Sequence, residues 1–416
     1  MYLCGWEEVV PERNMYMLWL DDVDPAILAT LPVFTRYAVT SSTISLSPSP
    51  LVETNQCYYQ TLTGMNAGKW GRFDAVHPVA YHACSAPGKP EGIYGRLLPD
   101  ILRSSGIATA TFETTCEQLC TCAIDISVNY ALLHVKDAGS VSLEELNSAL
   151  EGMFGFVEQA LPSVHIILLT GVWHMPPKAF VNVNTFLADI GLLKVQTSSE
   201  ADTERHIVWS ETLAYGLGSG QVWVNLQGRE PDGIVGVGQE YEDVCMALVE
   251  QLSASWLDPL TQTPVVRAAR RKHEVYQGDY LFLAPDLITE YAPGYLPSSQ
   301  ATLLKLDEQS VWRTSEQEER AGSSPHKPYA RLWAWGPDIV SGQTLEAELI
   351  DVVPTLLYLF DIPLTTAFDG TVLSALFSET YMQRHAIRYV NERESLLTNS
   401  EEEIVMGRLR DLGYLG

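Results

Sequence analysis

The sequence has no long apolar run. Nothing in its 416 residues approaches the roughly 18 consecutive apolar residues that span a bilayer, so no membrane span is expected. It is also short of positive charge: 26 Lys and Arg stand against 52 Asp and Glu, a formal net charge of −26. Nucleic acid and anionic membrane both require a basic, phosphate-neutralising surface, so neither is an expected partner. Cysteines number only 7 and are scattered. An odd, dispersed set argues against a disulfide framework and for reduced thiols in a reducing compartment. Only Cys116, Cys120 and Cys122 cluster, and no second Cys/His pair at finger spacing follows, so structural thiols are expected there rather than zinc ligands. The opening MYLCGWEEVVPER shows no charged-then-apolar signal pattern. These absences together predict a cytoplasmic protein.

What is present is a long chain able to bury a large core. Val164-His165-Ile166-Ile167-Leu168-Leu169 is a short, partly β-branched apolar run that reads as a central parallel strand. Tyr16–Leu20, Ile107–Phe112, Asn129–Val135 and Arg331–Trp335 read as further strands. Helices are expected from Pro25 with Asp24 as N-cap, over Thr54–Leu62 with Gly64 as C-cap, over Gly92–Ser105, over Ser142–Leu161, over Tyr241–Leu252, over Leu349–Phe360 and over Glu401–Leu412. Pro32 should end or kink the first of these, and Pro99 weakens the case for one unbroken helix across Gly92–Ser105. Residues 39–53 are Ser- and Pro-rich and read as a loop or edge segment, and 258–325 as loop-rich. Strand and helix alternate through the first 190 or so residues, which predicts a parallel sheet covered by helices. Gly233-x2-Gly236-x-Gly238 does not join a strong strand to a helix as a dinucleotide loop must, and reads as turns. Trp312, Trp333 and Trp335 read as core aromatics, with an interface as the alternative.

In open α/β sheets, chemistry sits outside the carboxyl ends of the strands. The residues so placed are Asp21 after the first strand, Thr54 at a helix start and Asp137 after another strand, with His326 in a proline-flanked loop. The break Thr170-Gly171-Val172-Trp173-His174 lies where a site is expected, yet it holds no carboxylate.

The order of these pieces resembles the alkaline phosphatase superfamily, in particular its type I phosphodiesterase and nucleotide pyrophosphatase-like predicted phosphohydrolases. Leu20-Asp21-Asp22-Val23-Asp24-Pro25 is similar to the family's first metal-aspartate turn. Thr54-x8-Thr63-Gly64-x4-Lys69-Trp70-Gly71 is similar to its nucleophile segment. The longest match is Ala214-Tyr215-Gly216-Leu217-Gly218 followed by Val224-Asn225-Leu226-Gln227-Gly228-Arg229-Glu230-Pro231-Asp232-Gly233-Ile234-Val235. Asn182-x-Asn184, Pro285-Asp286-Leu287, His326-x-Pro328, Asp351-x2-Pro354-Thr355 and Asp369-Gly370 keep the same order, so the resemblance runs along nearly the whole chain. It implies one alkaline phosphatase-like domain over 1–416, a three-layer α/β/α sandwich around a mainly parallel sheet, with a loop-rich cap over about 195–320.

The resemblance further implies two-metal phosphoryl transfer, with a metal-activated Thr hydroxyl attacking phosphorus in line. Asp21 and Thr54 fall on ligand and nucleophile at one metal, and Asp137 and His326 on ligands of the other. The family's Asp-His pair falls on Gly171 and Val172, and its His after the second Asp on Val141. None of these three side chains can coordinate, so each metal keeps two groups where hydrolytic zinc sites have three and an open position. Among neighbours, His174 is the expected substitute, because strand alternation counted back from Asp137 sends His134 to the opposite face. The resulting expectation is an inactive pseudoenzyme without metal that binds a protein partner or an anionic ligand, or associates with itself. The alternative is a metal-dependent phosphodiesterase that uses Thr54 and a reduced zinc or manganese site.

Overall fold

The computed structural model describes residues 13–21, 23–37, 40–47, 54–73, 76–79, 82–85, 97–119, 128–136, 138–160, 164–171, 177–197, 205–219, 221–298, 305–313 and 330–390. Contacts divide the chain into two compact units, one of residues 1–65, 93–174 and 328–396, the other of 66–92, 175–327 and 397–416.

The first unit is built on a seven-stranded sheet. Its strands are β1 (Asn14–Leu20), β2 (Ser42–Ser47), β3 (Thr109–Thr114), β4 (Tyr130–Val135), β5 (Val164–Thr170), β6 (Ala330–Trp335) and β7 (Thr344–Glu348). Across the sheet they run β7-β2-β6-β5-β1-β4-β3, and only β6 is antiparallel to its neighbours. The apolar character of β1 at nearly every position follows from its place: both its faces are buried. Met15, Met17 and Trp19 enter one core, which holds residues of α3 (Thr54–Thr63), α4 (Leu98–Ser104) and α6 (Val352–Leu359). Tyr16, Leu18 and Leu20 enter the other, with α1 (Pro25–Leu28), α2 (Pro32–Tyr37) and α5 (Leu143–Ala160). The result is the expected three-layer α/β/α sandwich.

Local chemistry sets the helix ends. Asp24 accepts from the Ala26 N–H and caps α1, as a short acidic side chain before a proline should. Pro32 does more than end that helix, because its preset φ opens α2. Pro99 likewise lies in the first turn of α4, which starts at Leu98; the part of the expected Gly92–Ser105 helix before residue 97 is outside the described residues. The expected helix over Glu401–Leu412 is outside them too.

One expectation for this unit fails. Residues 42–47 are a strand inside the sheet, between β7 and β6, and not a loop or edge. The serines conceal an alternation in which Ile44 and Leu46 point into the core. The buried Ser42 hydroxyl donates to the Val340 carbonyl and accepts from the Gln343 N–H, so this polar residue fits an interior strand.

The second unit contains a four-stranded antiparallel sheet in the order Ala214–Leu217, Gln221–Val224, Leu287–Tyr291, Val266–Arg271. The helix Gln239–Ala254 buries Cys245, Leu248 and Leu252 in the same core. Two of these strands lie within 258–325, so that stretch is less loop-like than its composition suggests. Most residues of the longest sequence match lie here and are structural. Asn225 donates through Nδ2 to the Trp209, Thr212 and Asp232 carbonyls. Asn184 exchanges two hydrogen bonds with the Gly216 backbone. Asp286 has no exposed side-chain surface and accepts from Arg229 at 2.7 and 3.0 Å, Tyr241 Oη at 2.8 Å, the Val224 N–H at 2.8 Å and Lys272 at 3.2 Å. Burial alone would raise its carboxyl pKa, but the Arg229 charge and hydrogen bonds, followed by Lys272, hold it below the usual range. Gly233 belongs to the turns, as expected: a Cβ there would lie 2.1 Å from the Leu226 carbonyl oxygen.

Cys57, Cys116 and Cys245 are buried free thiols; Cys120 and Cys122 lie outside the described residues. Trp333 and Trp335 are core residues, whereas Trp312 is only partly buried. No helix among the described residues is long and apolar enough to cross a membrane.

Candidate functional site

Strand register brings one group of residues together at the carboxyl ends of the parallel strands. Leu20 pairs with Val135 on one side and Thr170 on the other. The Asp21 N–H continues onto the Val135 carbonyl, and the Gly171 N–H onto the Leu20 carbonyl at 2.7 Å. Asp21 and Gly171 therefore lie side by side: a Cβ built on Gly171 would stand 3.2 Å from Asp21 Oδ1.

Both oxygens of Asp21 are taken by protein donors. Trp19 Nε1 donates to Oδ1 at 2.7 Å, and His134 Nε2 donates to Oδ2 at 2.6 Å. Excluding His134 by alternation from Asp137 was therefore wrong. Strand β4 ends at Val135, so the period of two does not extend to residue 137. The informative comparison runs across strands: Trp19 is in register with His134, and in-register parallel neighbours share a face. Asp21 follows Trp19 by two residues and continues that face. Aligning the ends of the two strands, Leu20 with Val135, would have revealed this from sequence.

Helix α3 adds an aromatic layer. The Tyr58 ring stacks on His134 with centroids 5.4 Å apart and meets Trp19 edge-on at 5.3 Å. Burial, then the neighbouring Tyr59, Glu113 and Asp21, push the Tyr58 phenol up to about 12. Glu113 is in register with His134 on the next strand, but its carboxylate pairs with Lys136 at 2.7 Å. Thr54 is the first residue of α3, one turn before Tyr58, and its side chain is outside the described set.

The far end of α3 is anchored by other residues of the sequence match. Gly64 adopts φ +64°, and its carbonyl accepts from the Asp369 and Gly370 N–H groups. Asp351 accepts from the Thr371 N–H at 2.6 Å and the Glu348 N–H at 2.9 Å.

Two ligands on a tetrahedral zinc, each about 2.0–2.1 Å from the ion, stand about 3.3 Å apart. His134 Nε2 and Asp21 Oδ2 are at hydrogen-bond separation instead, and an indole N–H is a donor only. Among the described residues no group of three or more His, Cys, Asp or Glu is placed to hold a metal ion. Asp137, Val172, His174 and His326 lie outside the described residues. Val141, the position expected for a lost His, packs beside the second core.

No family model and no curated protein matches the sequence. Solved structures do. The chain is similar to human ectonucleotide pyrophosphatase/phosphodiesterase 5, with 11% identity and a TM-score of 0.50 over 90% of this chain and 99% of that one. The murine ectonucleotide pyrophosphatase/phosphodiesterase 5 gives 11% identity and a TM-score of 0.47, over 87% of this chain and all of that one. At such identities the likeness is one of fold, and it is the alkaline phosphatase-like fold that the sequence resemblance implied.

Proposed function

We propose that this chain is a catalytically inactive phosphodiesterase-like scaffold of the alkaline phosphatase superfamily, acting as a binding or structural subunit for a protein partner or a second copy of itself. The observation that carries this reading is the state of Asp21. A carboxylate on a metal must present its lone pairs to the ion, and here Trp19 and His134 already occupy both oxygens. The position beside it is Gly171, which has no ligating atom. A Thr hydroxyl needs a nearby cation or base to lose its proton at neutral pH, and Gly171 brings no side chain to hold such a cation. In this reading Asp21, Thr54, Asp137 and His326 are vestiges of the site. The buried free thiols suit a reducing, cytoplasmic setting.

The test is elemental analysis of the purified protein together with assays on p-nitrophenyl phosphate and bis(p-nitrophenyl) phosphate, with and without added zinc or manganese. The expected result is no stoichiometric metal, no turnover that Thr54→Ala removes, and a discrete complex or oligomer on isolation. About one metal per chain with Thr54-dependent turnover would instead establish a working phosphodiesterase using Asp21, Asp137 and His326, with His174 as substitute ligand.

A further inference from the structure

The seven-stranded sheet ends on two strands whose outer edges differ. At one end is β7, whose exposed positions include Glu346 and Glu348. Charged side chains of this kind guard an edge against pairing with another chain. At the other end is β3, Thr109-Ala110-Thr111-Phe112-Glu113-Thr114, which has no Lys, Arg or Pro. Its single acidic residue, Glu113, is paired with Lys136 at 2.7 Å. Thr111, Phe112 and Glu113 are exposed in succession. Successive strand residues point to opposite faces, so the middle of β3 is uncovered on both. Phe112 is 41% exposed, and Thr and Phe are residue types that favour strand pairing.

The ladder to β4 fixes which backbone groups of β3 are free. The Ala108 carbonyl accepts from the Tyr130 N–H, and the Thr114 carbonyl from the Lys136 N–H. Backbone groups alternate sides along a strand, so the even-numbered residues face β4. Thr109, Thr111 and Glu113 therefore turn their N–H and C=O groups outward. Among the described residues no strand and no backbone hydrogen bond meets them.

This edge complements itself. Turned antiparallel about a twofold axis at Thr111, two copies place Thr111 opposite Thr111, Thr109 opposite Glu113, and Ala110 opposite Phe112. The outward groups then meet in about six N–H···O bonds. Each Phe112 packs over a small Ala110, the two axial threonines form a favourable cross-strand pair, and Glu113 faces a hydroxyl. The same operation on β7, centred on Glu346, would set two glutamates opposite each other, which is destabilising.

We infer that β3 is an interface at which this chain pairs edge to edge with a second copy, joining two sheets about a twofold axis. The inference rests on the self-association in the proposed function and not on the loss of chemistry at Asp21. A monomeric protein would overturn it, whereas metal-dependent turnover would overturn the inactive scaffold instead. An edge of this length buries less than the roughly 1,200 Å² of a stable complex, so a weak dimer is expected, with Kd about 10–100 µM.

Sedimentation of the full chain from about 2 to about 400 µM measures the dimer, and hydrogen exchange at both ends of that range locates it. The expected result is a monomer–dimer equilibrium with about three more protected amides over residues 109–114 at the higher concentration. Each chain carries a net charge of −26, so raising salt from about 50 to about 500 mM should screen repulsion and tighten the dimer severalfold. Thr111→Pro removes an outward N–H and leaves the bonds to β4 in place, and Thr111→Lys sets like charges on the axis. Each should weaken the dimer at least about tenfold. The inference is overturned if the chain stays monomeric at about 400 µM, if association runs past the dimer, or if a dimer leaves 109–114 unprotected. It is equally overturned if the dimer loosens with salt or if the variants dimerise within about twofold of wild type. Thr111 is exposed, so Thr111→Lys keeps the test decisive if Thr111→Pro fails to fold.

Discussion

Asp286 and Asp21 both have each carboxylate oxygen in use, and they differ in what surrounds them. Asp286 is fully buried among full positive charges, Arg229 and Lys272, and ties a turn of the sequence match to the four-stranded sheet. Asp21 stands at the carboxyl ends of the parallel strands with 16% of its side chain exposed, and its donors are an indole and an imidazole. Asp286, Asn225 and Asn184 belong to the stretches that carry most of the resemblance, and all three hold backbone in place. The residues to which the resemblance gives the chemistry are few and separated in sequence. A long match built from such knots predicts a fold and says little about activity.

Breaking the Asp286 knot gives the largest expected effect. Asp286→Ala takes the fully buried carboxylate from two partly buried cations, Arg229 and Lys272, and removing one partner of such a pair costs about 3–5 kcal/mol. Urea denaturation should show that loss as a lower midpoint at unchanged slope. A change below about 1 kcal/mol would mean that water reaches Arg229 and Lys272, and the contrast with Asp21 would vanish.

Asp21→Ala removes the acceptor of Trp19 Nε1 and His134 Nε2 at a partly exposed site. Solvent can reach both donors, so the expected cost is about 1–2 kcal/mol in the same measurement. A loss as large as that of Asp286→Ala would make Asp21 another buried knot and undercut the proposal that it is a former ligand at the carboxyl ends of the strands.

The two regions were also unequally legible in sequence. Helix starts at Asp24-Pro25 and the end at Gly64 could be read because each depends on local chemistry, a side-chain cap or a positive φ. The strand Ser42–Ser47 was hidden because a buried serine looks polar until its partners, Val340 and Gln343, some 300 residues away, are known. The strand Val266–Arg271 was hidden in the same way: Arg267 and Arg270 extend to Glu290 on the neighbouring strand, and Arg271 to Glu242. His134 was misjudged because its role depends on register between strands more than 100 residues apart. Local rules reach a residue's own segment. The candidate site is made almost wholly of contacts between segments.

The smallest expected effect tests Gly171, where the resemblance implies a carboxylate. Its φ is outside the left-handed range, so alanine is compatible with the backbone. Replacing such a glycine lowers the entropy of the unfolded chain and stabilises by about 0.4–1 kcal/mol. Against this, the new methyl would stand 3.2 Å from Asp21 Oδ1 and 3.4 Å from Trp19 Nε1, closer than carbon and oxygen normally approach, so the Asp21 side chain must shift by a few tenths of an ångström. That shift strains the hydrogen bonds to Trp19 and His134 without removing them. The two terms are of similar size, and Gly171→Ala should change stability by no more than about 0.5 kcal/mol. A loss above about 2 kcal/mol would show that the Asp21 carboxylate has no slack and that its two donors hold it as firmly as Arg229 holds Asp286.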